Sequence, residues 1–198
     1  MLTAPKREKT QILVPEGTHV ARVIGLIHIG TIEDTYMGEA KKFNKIRLTW
    51  ELPDELHKFK EGEDAKPIVH SQEYTLSMGK KSNLKPIVEG ITGALSEEEA
   101  YNFNFESLVG SPCLISIKHS KTQKGTIFAK IASTSKLMKG QVCKEAYNQP
   151  YKILTYDKWD EALFNSQPEF IKEKIVRSDE YKKMKGIVDK VDPDEIPF

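Results

Sequence analysis

Seven lysines and no acid lie between Glu106 and Glu145: Lys118, Lys121, Lys124, Lys130, Lys136, Lys139 and Lys144. Spaced cations with no interleaved carboxylates suit a polyanion, because each can meet a phosphate without first giving up an internal partner. The last ten residues reverse the bias, with four acids against the single Lys190. They close on "VDPDEIPF", where Asp192, Asp194 and Glu195 precede Ile196, Pro197 and Phe198. Chain ends are usually chemically bland; this one has the composition of a peptide ligand. The formal net charge of +1 therefore conceals a basic body and an acidic tail that could compete for the same groove.

Other chemistries find little support. There is no phosphate loop, no GxGxxG, no HExxH and no GxSxG. His19, His28, His57, His70 and His119 are scattered, and none pairs with a cysteine or carboxylate at a metal-ligand spacing. The two cysteines, Cys113 and Cys143, are thirty residues apart, which favours reduced thiols over a disulfide framework or a zinc site. The acids of "SEEEA" complement a helix start rather than forming a catalytic pair. The expectation is a protein without enzymatic activity, cofactor or metal.

At 198 residues, with 38% hydrophobic and 30% charged residues, the chain can fold around one sizeable core with an appendage. No apolar run reaches the roughly 18 to 20 residues needed to span a bilayer, and "MLTAPKREKTQ" lacks the apolar segment of a secretory signal. The expected location is the cytoplasm, without membrane association.

The elements that must position the lysines follow from periodicity. Residues 1–18 are polar, carry Pro5, Pro15 and Gly17, and read as a flexible N-terminal arm. "HVARVIGLIHIGT" is a long strand with a bend at Gly25. After a turn-rich stretch, "KIRLTWEL" alternates Ile46, Leu48, Trp50 and Leu52 against Lys45, Arg47, Thr49 and Glu51, as a half-buried strand does. "SQEYTLSM" is a third strand; capping residues Ser82 and Ser96, the latter with Glu99, mark short helices over 82–110. "PCLISIKH" and "GTIFAKIAS" form a hairpin joined by "SKTQKG". Residues 145–185 hold one or two amphipathic helices divided at Pro168, expected to pack on the sheet, with a homodimer contact as the alternative. Residues 186–198 are the acidic interaction tail, read as disordered.

Three strands, a helical connection and two strands is the order of a five-stranded OB barrel, so the expected fold is mainly β with helices: an OB domain over 19–144. Such barrels bind single strands across strands 2 and 3 and the loops joining strands 1–2 and 4–5. A non-specific single-strand site needs cations for the phosphates and aromatic faces for the bases. The expected cations are Lys45, Arg47, Lys42, Lys80, Lys81 and Lys85, with Lys118, Lys121, Lys124 and Lys130 around the last hairpin. Parity puts Phe128 beside Lys130, away from Ile127, Ala129 and Ile131, which makes it the best stacking residue. Trp50 and Tyr74 share core faces. Tyr36 and Phe43 fall in the strand 1–2 loop, where either role is open.

The "DEIPF" end is similar to the acidic tip of bacterial single-stranded DNA-binding proteins. The body, in "VARVIGLIHIGT", "KIRLTWELP", "YTLSMGKKSNL" and "GSPCLISIKHSKTQKGTIFAKIAS", resembles phage-encoded OB-fold single-stranded DNA-binding proteins over about residues 19–140. The resemblance implies a non-catalytic protein that coats single-stranded DNA in phage replication, recombination and repair, in the host cytoplasm; the alternatives are an OB-fold interaction module that acts as an adaptor or inhibitor of host replication and repair factors, and an RNA-binding OB protein. It further implies that Phe198 enters an apolar pocket of partner repair or replication proteins while Asp192, Asp194 and Glu195 lie along a basic rim. The glycine- and glutamine-rich linker of the bacterial proteins is absent, and helix-forming sequence stands in its place.

Overall fold

The structure is a computed structural model of the chain, and it describes residues 13–36, 38–122 and 124–187. The expected ligand residues Asp192, Asp194, Glu195, Ile196, Pro197 and Phe198 lie outside that range, as does most of the N-terminal arm. The described part of the arm is not detached: Val14 is buried in the core.

Five strands form an antiparallel sheet: β1 (Gly17–Tyr36), β2 (Glu39–His57), β3 (Lys66–Thr75), β4 (Pro112–Lys121) and β5 (Ile127–Ser135). They run in the order β3-β2-β1-β4-β5, and a short β6 (Lys152–Leu154) adds to β1 in parallel. The ladders do not close into the expected barrel, because β3 and β5 share no backbone pairing among the described residues. A side chain spans that seam instead. Ile131 N–H donates to Gln72 Oε1 at 2.8 Å, and Gln72 Nε2 donates to Ile131 C=O at 3.4 Å, so one amide imitates a peptide unit of the missing ladder.

β1 is the spine of the molecule, and two extra residues decide what it covers. Ile24 and Ile29 each lack a counterpart on β2, which shifts the register between Val23 and Gly25 and between His28 and Gly30. A bulge inverts the side-chain alternation beyond it. Ala21, Val23 and Leu26 therefore enter one core, with Trp50, Leu48, Ile115 and Ile117, while Ile27, Ile29 and Ile32 enter a second. The bend read from Gly25 is the first of these bulges; Gly25 also allows the close approach of β6, as a Cβ there would stand 3.3 Å from the Lys152 carbonyl.

Between β3 and β4 the chain forms α1 (Lys85–Thr92), α2 (Glu97–Tyr101) and a 3-10 turn at Phe105–Leu108. Helix α1 drives Ile87, Val88 and Ile91 into the first core. Ser96 and Glu99 make the capping box read from the sequence. Ser82 caps α1 from outside it, its hydroxyl accepting from Leu84 and Lys85 N–H. Gly90 lets α1 lie directly on β5, because a Cβ there would overlap Thr134.

The C-terminal segment holds α3 (Glu161–Asn165), α4 (Glu169–Arg177) and α5 (Asp179–Met184). Phe164, Ile171, Ile175 and Leu154 close the second core over the outer face of β1. The polar tie is specific. Glu180 accepts from Thr31 N–H at 2.6 Å and from its hydroxyl at 2.7 Å, and the buried Ser178 hydroxyl meets Tyr156 Oη at 2.7 Å. Gly30, at φ 94°, leaves room for that junction, since a Cβ would come within 2.8 Å of Ser178 Cβ.

Further sequence expectations change, and the one or two helices expected in the C-terminal segment are three. The strand 1–2 loop is a hairpin arm, paired to Tyr36 opposite Glu39, with Gly38 at φ 84° in the turn. Glu33 faces Lys42 and Asp34 faces Lys41 across it, opposite charges that favour pairing over a loop. Glu51, placed on the solvent face with Arg47, is fully buried. The 143–150 segment crosses above it, and its carboxylate accepts from Tyr147 N–H (2.7 Å), Asn148 N–H (2.9 Å) and Asn148 Nδ2 (2.6 Å).

Candidate nucleic-acid interface

The open seam is the floor of a groove of about 1140 Å³. Gln72, Glu73, Tyr74 and Thr75 of β3 form its base; Phe43 and Lys45 of β2 stand on one side, Lys118 and Ser120 of β4 and Lys130 to Ala132 of β5 on the other. The turn from Ser77 to Asn83 and the start of α1 bound its end. Of the residues expected to bind a strand, Phe43, Lys45, Lys80, Lys81, Lys118 and Lys130 line this groove. They arrive from four separate elements: β2 and β4, the neighbours of the two seam strands, β5 itself, and the β3–α1 turn.

The lining carries five lysines and one acid. That acid, Glu73, is neutralised from outside the groove: Lys174 of α4 donates to both oxygens, at 2.9 and 2.8 Å, and Arg47 Nη1 stands 3.6 Å away. Lys118 and Lys130 are direct cross-strand neighbours, and among the described residues neither has an ion-pair partner. Like charges directly opposed in a ladder cost stability. Lys80 reaches Glu97 at 3.6 Å on an exposed surface, a pairing worth little in water. Lys45 bonds Asp34, whose carboxyl is held below the ordinary range mainly by that bond.

The remaining expected residues lie elsewhere. Lys42 bonds Asp179 of α5 at 2.8 Å. Lys121 and Lys124 sit exposed at the β4–β5 tip, beyond the lining. Phe128 is half-buried opposite Ser120 and does not line the groove. Tyr36 ends β1 at the arm turn. Arg47 lies apart from the groove beneath α4, its guanidinium 5.6 Å from the Phe170 ring centre, and burial pulls its pKa down against the opposing pull of Glu73. Lys85 pairs with Glu89 at 3.8 Å.

Tyr74 contributes a polar group to the floor. Its ring meets Trp50 edge-on at 6.4 Å, and its hydroxyl accepts from Gln72 Nε2 at 2.9 Å. Burial raises its pKa, so the phenol stays protonated at neutral pH. Trp50 is fully buried, as its face required. Burial likewise pushes the core thiol of Cys113 up to about 12, and both cysteines are free. No helix among the described residues is long and apolar enough to cross a membrane.

Gln72 and Lys174 were not readable as site residues. Gln72 shares a face with Tyr74, and parity alone assigns both to the interior. Lys174 belongs to a helix whose docking partner lies about a hundred residues earlier. No protein-family model matches the chain, and no curated protein aligns with it significantly.

Proposed function

We propose that the protein binds single-stranded DNA without strong sequence preference and coats it during phage replication, recombination and repair. One observation carries this reading: Lys118 and Lys130 stand side by side on β4 and β5 along one wall of the groove, neither with an ion-pair partner among the described residues, at a cost that a bound phosphate chain would offset. A duplex backbone would not bring its bases to the floor, whereas a single strand can present phosphates to the lysines and a base to the half-buried Phe43. The strand order β3-β2-β1-β4-β5 with a helix between β3 and β4 supports an OB-type barrel whose last seam is bridged by Gln72. The protein acts as a binding protein rather than an enzyme. The Ile196-Pro197-Phe198 end, led by Asp192, Asp194 and Glu195, recruits replication and repair proteins with a basic-rimmed apolar pocket.

Titration with oligo-dT, oligo-rU and duplex at two salt concentrations tests the reading. The expected order is oligo-dT tightest, with steep weakening by salt. Absence of oligo-dT binding at low salt sinks it. Tighter binding to oligo-rU would instead make the chain an RNA-binding protein.

A further inference from the structure

The lysine groove is poor in exposed aromatic surface, since Phe43 is half-buried and Tyr74 is buried. Exposed aromatic rings collect instead farther along β3. Phe59 is 49% exposed, Phe170 51% and Tyr147 60%; Phe59 and Tyr147 border β3, and Phe170 stands over Arg47 on the neighbouring β2. Phe59 and Tyr147 flank a concavity of about 250 Å³ with Lys66 and Val69. A second, of about 190 Å³, holds Arg47, Ser71 and Lys152 and shares Val69 and Asn148 with the first. Phe170 stands over Arg47 at the edge of this second concavity. Arg47 in turn reaches Glu73, which belongs to the groove. The three depressions therefore follow one another along the ten residues of β3, roughly 33 Å at a rise of about 3.3 Å per residue.

The charges agree with that continuity. The two outer concavities carry Lys66, Arg47 and Lys152 and no acid. Cations beside exposed rings are the pairing a single strand requires, phosphates to one and base faces to the other. The backbone that carries two of these rings is also tied down. The main chain at Tyr147 is anchored by its N–H to the buried Glu51, and α4, which carries Phe170, is tied to β3 by Lys174 and Glu73.

Building on the proposed function, we infer that a bound strand leaves the lysine groove and continues along the outer face of β3, its bases stacking on Phe170, Tyr147 and Phe59. Two of these platforms, Tyr147 and Phe170, come from the C-terminal segment. That segment then belongs to the binding surface and does more than close the second core. The site has two parts, a phosphate-dominated groove and a stacking trough, and only a strand long enough to cross Arg47 uses both.

The test compares fluorescently labelled oligo-dT of roughly 5 and roughly 15 nucleotides, lengths that bracket common single-strand sites, on the full chain and on the double variant Y147A/F170A. Both side chains are exposed, and a thermal melt verifies that the variant folds. The expected result is unchanged affinity for the short oligomer and a loss of about 10-fold or more for the long one, since each stacked base contributes about 1–3 kcal/mol. In the separate variant Phe170→Trp, affinity is retained, and the new indole is quenched by the long oligomer and not by the short one. Equal loss on both lengths, or no loss on either, overturns the trough while leaving the groove intact. If the unaltered chain binds neither oligomer, it is the proposed function that fails.

Discussion

Two acids show how a single residue organises this molecule. Glu51 is fully buried and tied to the 143–150 segment by three hydrogen bonds. Glu180 ties α5 to β1. Burial alone would raise the Glu180 pKa, but the bonds from Thr31 outweigh it and the net shift is below the ordinary 4.5. The folded state therefore holds fewer protons at this group than the unfolded chain. Its contribution is complete above about pH 4.5 and is lost as the pH falls through the lower, folded value. Glu180→Gln is expected to lower the denaturation midpoint at neutral pH and to flatten its decline between about pH 5 and pH 3, where the native chain loses this tie. Denaturant melts at a series of pH values measure both; an unchanged acid limb would show that Glu180 does not couple to protons. Neither role was legible in the sequence. Alternation assigned Glu51 to solvent, because the segment that covers it lies almost a hundred residues later. Glu180 sits in "SDEYKKMKG", which reads as an ordinary helix start.

At the level of elements, strand existence followed from alternation and helix starts from caps, so "KIRLTWEL" and the Ser96 capping box stand where periodicity put them. Bounds and the smallest pieces did not follow. The arm over residues 31–44 is strand because opposite charges pair across it, which only the register reveals. β6 has three residues, too few for any period to declare itself. The seam is the element-level feature with the clearest consequence. Gln72 supplies both partners of the Ile131 peptide, and Gln72→Leu removes them without reducing the volume of the side chain greatly. Leaving that N–H and C=O unpaired is expected to cost about 1–3 kcal/mol. Amide exchange at Ile131 should accelerate more than at Ile115, which lies inside the β4 ladder. Equal protection at both sites would mean that β3 and β5 hold together without the bridge.

For the whole molecule, the charge pattern read from sequence converged in space only in part: lysines from β2, β4, β5 and the β3–α1 turn share one groove, while Arg47 and Lys42 were claimed by C-terminal helices that composition could not dock. If the groove holds a phosphate chain, the double variant K118A/K130A should reduce the slope of log affinity against log salt by roughly 1.4, about 0.7 for each lost contact with a single strand. Its melting temperature should stay level or rise, because the opposed charges no longer repel. A fall in stability with an unchanged salt slope would assign the two lysines to the fold. The bulged spine of β1 carries a last consequence, one of timing. Ile27, Ile29 and Ile32 are covered by Phe164, Ile171 and Ile175. During synthesis at roughly 5–20 residues per second, the 143 residues between Ile32 and Ile175 take roughly 7 to 29 seconds to appear. For that interval each nascent chain shows an oily stripe along its longest strand, and crowded translation of this protein should lean on chaperones until the final helices emerge.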